Sequence, residues 1–419
     1  MPGIVGLITR IPRECAERQL AAMLDTMREY GLQRLEEAGE QAYTRKAHAA
    51  YFLVLAEEEA PRLRRERTGK HPFDAELGNF RAAFDWLIAS SEVQWGMRLL
   101  MALGVYFIAL RLHVEARNYA SRLLAIPELK NFSRLHVWGK YWEADFGYEV
   151  GESALETYLA CGQSFRELDD QAGVLLVSTR LGHFYRFMNR AQSRYWFEQA
   201  VEIARESFPP VVLAGALSNL ADVVRAEGEF TYAEGLYLEA NRLFESVGDR
   251  ENAVWTISHR ADLRRDQGDR PGARSLYCEA LAGFRALGFS PGIASCLHDL
   301  ADLDADEGKV AEALAQYQEC LRHYGAESKV DLPRVLESMA ELARRNGRPG
   351  PALTMFGAAA RIRERFHANT GNLRLRARQQ QILEGARSAV GAEASAYWMK
   401  GWNMTIEDVF QWLAPEKKK

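Results

Sequence analysis

The sequence is poor in the features that mark secreted, membrane and metal-binding chains. Five cysteines stand among 419 residues (Cys15, Cys161, Cys278, Cys296 and Cys320), and no two form a C-x-x-C pair. An odd, scattered set excludes a disulfide framework and a cysteine zinc site, and points to a reducing, cytoplasmic setting. Most of these cysteines fall within apolar helical patterns, where Cys behaves as a small hydrophobe. Long apolar runs are missing too. The most apolar window, "LLMALGVYFIAL" at 99–110, lies between Arg98 and Arg111 and is too short to span a bilayer, so it reads as a buried helix. Neither sign of charge prevails. Lys and Arg number 53 against 57 Asp and Glu, a net charge of −4, which gives no general attraction to nucleic acid or to an acidic membrane. The opening "MPGIVGLITR" has no basic stretch before its short apolar run and does not read as a signal peptide.

Catalytic signatures are equally scarce. No G-x-x-x-x-G-K-[ST] occurs, and "GYEVGES" at 147–153 lacks the lysine and the spacing needed to cradle phosphates. There is no H-E-x-x-H, no His pair at i, i+4 and no G-x-S-x-G elbow. "DLDADEG" at 302–308 alternates Asp302, Asp304 and Asp306, but Glu307 stands where a calcium loop needs glycine and Ala313 where it needs glutamate. Alternate residues of a helix also point to different faces. The expectation is a chain without metal, cofactor or enzymatic activity.

What the sequence does contain is a repeat. "LADVVRAEGEFTYAEGLYLEA", "RADLRRDQGDRPGARSLYCEA" and "LADLDADEGKVAEALAQYQEC" align without gaps at a spacing of 40 residues. Small residues recur as Ala221, Ala261 and Ala301, and glycines as Gly228, Gly268 and Gly308. Ala233, Ala273 and Ala313 follow, then Tyr237, Tyr277 and Tyr317, then Ala240, Ala280 and Cys320. The pattern continues through Ala340, Gly347, Ala352, Phe356 and Ala359, and fades towards the N-terminus through Ser193, Phe197 and Ala200. This is the logic of a helical hairpin. A small residue midway along the first helix lets the second pack close, and glycine ends the first helix in a conformation that side chains resist. Each unit leaves an apolar face bare, so units must stack. Phe52, Phe80, Phe84 and Trp86 form helix-spaced stripes that read as core ahead of the first repeat.

The order small, Gly, Ala, Tyr, Ala resembles the tetratricopeptide repeat, whose usual period is about 34 residues. The resemblance implies an all-α, right-handed superhelix of helix pairs, here with a longer period. It also implies that the first helices line a concave groove, into which residues one and four places after the packing alanine point. One place after come His183 (in the fainter preceding repeat), Asp222, Asp262, Asp302 and Glu341; four places after come Arg186 (in the same fainter repeat), Arg225, Arg265, Ala305 and Arg344. Trp255 and His298 fall on neighbouring positions. Two readings of these rows stay open. One is a set of i, i+3 ion pairs worth a few tenths of a kcal/mol each. The other is a polar groove that clamps a peptide, with Arg225, Arg265 and Arg344 as anchors whose guanidinium forks suit carboxylates and carbonyls.

Further segments carry a second resemblance. "LDTMREYGLQRLEEAGE" (24–40), "RKAHAAYFLVLAEEEAPRL" (45–63), "ELGNFRAAFDWLI" (76–88), "TMFGAAARIRERF" (354–366) and "AYWMKGWNMTIEDVFQWL" (396–413) occur in an order similar to bacterial STAND-class signalling ATPases, including regulators with LuxR-type or AfsR-type output domains. It covers about 24–413 and implies a sensor arm that binds an inducer or a partner protein and restrains an ATPase; whether a STAND-type ATPase acts on this chain in trans stays open. The first residues resemble asparagine synthetase-type class II glutamine amidotransferases in Gly3, Ile4, Val5 and Gly6, with Pro2 where that family has its nucleophilic cysteine. Proline has no thiol, so the catalysis does not carry over.

The expected organisation is a strand-like extension over 1–27, linking helices over 28–95, about seven helix pairs over 96–365, capping helices over 366–413 and a disordered tail over 414–419. The expected function is that of a non-catalytic module in a signalling or transcription-regulatory system, binding a protein segment or small inducer. The alternatives are an inactive amidotransferase-like fusion remnant and a regulator that reaches DNA through a partner.

Overall fold

A computed structural model describes residues 30–31, 33–63, 72–149, 153–324, 331–366, 373–405 and 407–409. The strand-like start and the tail expected at 414–419 lie outside them. Every regular element among the described residues is helical. The chain divides into two compact units, 1–157 and 158–419.

The first unit holds α1 (Gln41–Leu63), α2 (Leu77–Ala89), α3 (Val93–Ala109), α4 (His113–Leu124) and α5 (Ser133–Glu149). Its core is aromatic. Phe52 meets Phe80 edge-on, Phe73 packs against Phe80 and Tyr106, and Phe84 stacks on Tyr119 with centroids 4.3 Å apart. The apolar window at 99–110 is the C-terminal two-thirds of α3, with Leu99, Leu100, Leu103, Tyr106 and Phe107 buried. Gly104 seats α5, because a Cβ there would lie 2.4 Å from the Trp142 ring. The α3–α4 turn has Arg111 at φ 56°, a left-handed position held without the glycine that marks the later repeats. That helps to explain why the periodic pattern is faint here.

The boundary falls in the first turn of α6 (Leu155–Glu167), and the second unit goes on with α7 (Gln171–Tyr185), α8 (Arg190–Ser207), α9 (Pro210–Glu227), α10 (Phe230–Ser246), α11 (Arg250–Asp266), α12 (Arg270–Leu287), α13 (Ser290–Asp306), α14 (Val310–Tyr324), α15 (Leu332–Arg345), α16 (Pro349–Phe366), α17 (Leu373–Val390) and α18 (Ala394–Trp402). From α7 to α16 each helix packs on its neighbours in sequence, so the pairs stack in series. The repeat columns occupy the places their chemistry demands. Ala221, Ala261, Ala301 and Ala340 are fully buried where paired helices meet, as are Ala233, Ala273, Ala313 and Ala352 opposite them. Gly228, Gly268, Gly308 and Gly347 end the first helices with φ between 70° and 90°, a region that costs other residues roughly 1 kcal/mol or more. Asp249 and Asp269 cap the next helices by accepting from the backbone N–H three residues on.

The array ends on α18, which lies so close to α16 that a Cβ on Gly401 would fall 1.8 Å from the Thr354 carbonyl oxygen. The "TIEDV" start forms a reciprocal cap, with Thr405 N–H donating to Asp408 and Asp408 N–H donating to Thr405 Oγ1. No helix among the described residues is long and apolar enough to cross a membrane.

Candidate functional site

The acidic row binds first to its own repeat. Tyr237, Tyr277 and Tyr317 each donate the phenol O–H at 2.5 Å to Asp222, Asp262 and Asp302, fifteen residues earlier. The second helix of each pair therefore buries an aromatic ring and fixes its polar tip on the first helix. Burying such a ring contributes about 2 kcal/mol, and the bond satisfies a hydroxyl that would otherwise be costly to bury. With an acceptor carboxylate close by, burial pushes each of the three phenols far above its ordinary pKa.

The arginine row links successive repeats. Arg186 donates to Asp222 at 2.7 Å. Arg225 reaches Asp266 at 2.7 Å and stands 3.9 Å from Asp262. Arg265 bridges Asp262 at 2.8 Å and Asp299 at 3.0 Å. Only Arg265 with Asp262 and Arg344 with Glu341 form the expected i, i+3 pairs. The earlier arginines lean into the next repeat because adjacent first helices stand side by side. Burial would raise the Asp222 carboxyl, but His259, Arg186 and Arg225 outweigh it and hold the group at about 2.

The ladder has one gap. At the fourth place after Ala301 the residue is Ala305, and no Lys or Arg among the described residues lies within ion-pair distance of Asp302. Beside the gap opens a cavity of about 390 Å³, lined from α11 by Arg265, from α13 by His298, Asp299, Asp302, Leu303, Ala305 and Asp306, from α14 by Tyr317, from α15 by Arg334, Glu337, Ser338, Glu341, Leu342 and Arg345, and from α17 by Ile382. Its volume is that of a small-ligand site.

The charges on this wall do not balance internally. Glu337 is held by Arg363 from α16, and Asp306 and Glu341 share Arg345. Asp299 shares Arg265 with Asp262, and its carboxyl rises to about 7 because burial and the neighbouring Asp262 outweigh the guanidinium. His298 is buried, which lowers its imidazole to about 4. Neutral near pH 7, it sits 3.0 Å from Ser338 Oγ and 3.8 Å from Asp302.

Of the residues selected from sequence, Arg265, His298, Asp302 and Glu341 line the cavity. Arg186, Asp222, Arg225, Asp262 and Arg344 do not; the first four belong to the ion pairs and tyrosine bonds that join the helices, and Arg344 pairs with Glu341 on its own helix. Trp255 is drawn into packing, 4.8 Å from the Phe284 ring and 6.3 Å from Phe289. The alternating aspartates at 302–306 diverge as a helix requires. Asp302 accepts from Tyr317, Asp304 from Arg274 at 2.7 Å and Asp306 from Arg345 at 2.9 Å. The sequence reading missed Asp299, Ser338, Arg345 and Ile382. A signal existed for the first two, since the place two before the packing alanine is polar in four consecutive repeats, as Asn219, His259, Asp299 and Ser338. Ile382 comes from α17, outside the repeat, and no periodicity could announce it.

The architecture is thus that of a tetratricopeptide-like helical solenoid. No protein-family model matches the chain, and no curated protein matches it by sequence. Solved structures do match. The quorum sensor NprR from B. thuringiensis, in its apo form, is 16% identical with a TM-score of 0.52, over 84% of this chain and 98% of that one. Aspartyl phosphate phosphatase F from Bacillus subtilis is 16% identical with a TM-score of 0.48, over 88% and 94%. A STAND protein with a tetratricopeptide repeat sensor from Pyrococcus horikoshii is 15% identical with a TM-score of 0.46, over 86% of this chain and 54% of that one. At such identities the likeness to NprR speaks for the fold. Nothing in these comparisons supports the amidotransferase-like reading of the first residues.

Proposed function

We propose that the chain is a non-catalytic binding module, the sensor arm of a signalling system, and that it takes a peptide segment or small inducer against the first helices of its repeats. The cavity of about 390 Å³ between α11, α13, α15 and α17 carries this reading. It lies where the first helices of consecutive pairs meet, and it holds polar groups that the repeat architecture does not consume. NprR, whose fold the chain shares, is described as a quorum sensor, and the proposal gives this chain a role of the same kind. An ATPase supplied by another chain is the partner that the STAND resemblance suggests. The anchors we favour shift from Arg225, Arg265 and Arg344, whose guanidiniums are paired with acids of the array, to Asp302, Asp299 and Ser338 on the cavity wall.

The test is selection of a random heptapeptide library on the whole protein, followed by hydrogen exchange with an enriched peptide bound. Protection concentrated in α13 and α15 is the expected result. Enrichment of no sequence, or protection confined to the first unit, overturns the reading.

A further inference from the structure

Asp302 is the one member of the acidic row that has neither an arginine from the preceding repeat nor one from its own helix. Arg186 serves Asp222 and Arg225 approaches Asp262, but Arg265 turns to Asp299 instead of Asp302. The arginine that could serve it from its own helix, as Arg265 serves Asp262, is replaced by Ala305. The same replacement vacates the volume that an arginine side chain would fill, and the cavity opens there. Leu303, Leu342 and Ile382 add apolar surface among the charged groups of its wall. No group of three or more acidic, His or Cys side chains among the described residues is placed to hold a metal ion, so the carboxylates are not disposed around a point cation. A charged head between Asp299 and Asp302, with an aliphatic stem along leucine and isoleucine, is the arrangement that long cationic side chains adopt.

We propose that this cavity is a seat for an alkylammonium or alkylguanidinium group, a lysine or arginine side chain of a bound peptide or a free diamine, which supplies the cation missing from the ladder at Ala305. The proposal rests on the binding-module reading above and specifies its ligand class. The head meets Asp302, which no arginine among the described residues serves, and the Asp299 carboxylate, which has to share Arg265 with Asp262. Ser338 and the neutral His298 stand beside it. Arg334 lines the same cavity with its side chain 52% exposed and 3.9 Å from Asp331. It is the like charge a cation must pass. Because the Asp299 carboxyl is raised, the seat is fully anionic only above neutrality, and affinity falls as the pH drops towards 5.

The experiment uses the full chain and four fluorescent heptapeptides, identical except for a central lysine, arginine, glutamine or glutamate, read by anisotropy at pH 8. Calorimetry with 1,5-diaminopentane forms a second arm. One charge-assisted contact corresponds to about tenfold in affinity. The lysine and arginine peptides are expected to bind about tenfold or more above glutamine, with glutamate weakest. Asp302→Asn removes the preference, and Ala305→Arg, which fills the gap from within, abolishes cation binding while raising the thermal midpoint. Arg334→Gln tightens binding of the cationic peptides and keeps the test decisive should Asp302→Asn unfold. Equal binding of all four peptides overturns the cation seat and leaves the binding-module reading standing. Binding of the diamine but of no peptide upholds the seat and removes the peptide as its source. Binding of nothing overturns both.

Discussion

Arg265 is the side chain on which the second unit depends most visibly, and its removal can be worked through from the geometry. It bridges Asp262 at 2.8 Å and Asp299 at 3.0 Å across two successive repeats. Arg265→Met keeps most of the volume and the aliphatic stem and removes the cation. Without the guanidinium the Asp299 carboxyl rises further, so above neutrality it either holds its proton against the solvent or is buried charged, at a cost that grows with pH, while Asp262 keeps Tyr277 and the more distant Arg225; breaking such a buried pair costs roughly 3–5 kcal/mol. Asp299 makes this cost depend on pH. Its folded-state pKa of about 7 lies above its unfolded value, so the stability it contributes is complete below the unfolded pKa and is lost as pH rises through 7. At pH 5 the group is protonated, and only Asp262, still accepting from Tyr277 and 3.9 Å from Arg225, loses a cation. About half the cost then remains. For an array of this size 1 kcal/mol corresponds to about 2–4 °C. The expected fall in thermal midpoint is on the order of 10 °C at pH 8 and about half that at pH 5. Adding Asp299→Asn to the variant should recover much of the loss at pH 8 and little at pH 5. Scanning calorimetry of wild type and the two variants at both pH values is the assay. Equal losses at the two pH values, or no recovery by Asp299→Asn, would refute the reasoning.

Three further outcomes follow from single sites. Gly268 holds φ 81° at the end of α11, whereas Gly235 is an exposed interior residue of α10 with open space around it. Gly268→Ala should therefore destabilise by about 1 kcal/mol and Gly235→Ala stabilise by about 0.5–1 kcal/mol, and urea midpoints of opposite sign would show it. Burial depresses His298 to about 4, so its contribution is complete above its unfolded pKa and is lost as pH falls from about 6.5 towards 4. That amounts to about 3 kcal/mol, and a His298→Gln variant should show a flatter stability profile over this window. Gly401→Ala places a methyl group against the backbone of α16. Overpacking of this kind costs about 1–3 kcal/mol, and hydrogen exchange should rise selectively in α18, with α9 to α14 unchanged.

The columns of small residues, glycine and tyrosine carried the helix pairs openly, because a residue that must be small, or must adopt positive φ, leaves little choice of side chain. The first unit was harder to read. Arg111 holds a left-handed turn without glycine, and aromatic packing such as Phe84 on Tyr119 has no fixed period. The acidic and arginine rows were visible as rows, but their partners were not. From the sequence, Asp262 and Arg265 look like a local pair on one helix. In the structure Tyr277 and Asp299, fifteen residues from the first and thirty-four from the second, complete the arrangement.

The order of the chain by itself determined that helices pair, where each first helix stops and that the pairs must stack, since these follow from local conformation and from apolar faces that a single pair leaves bare. Tertiary structure alone decided which charges are spent and which remain. An arginine on one first helix lies within reach of acids on its own helix and on the next, and only the packing of adjacent first helices settles its choice. The substitution at Ala305 can be seen in the sequence; the cavity beside it, closed by Ile382 from a helix outside the repeat, exists only in three dimensions.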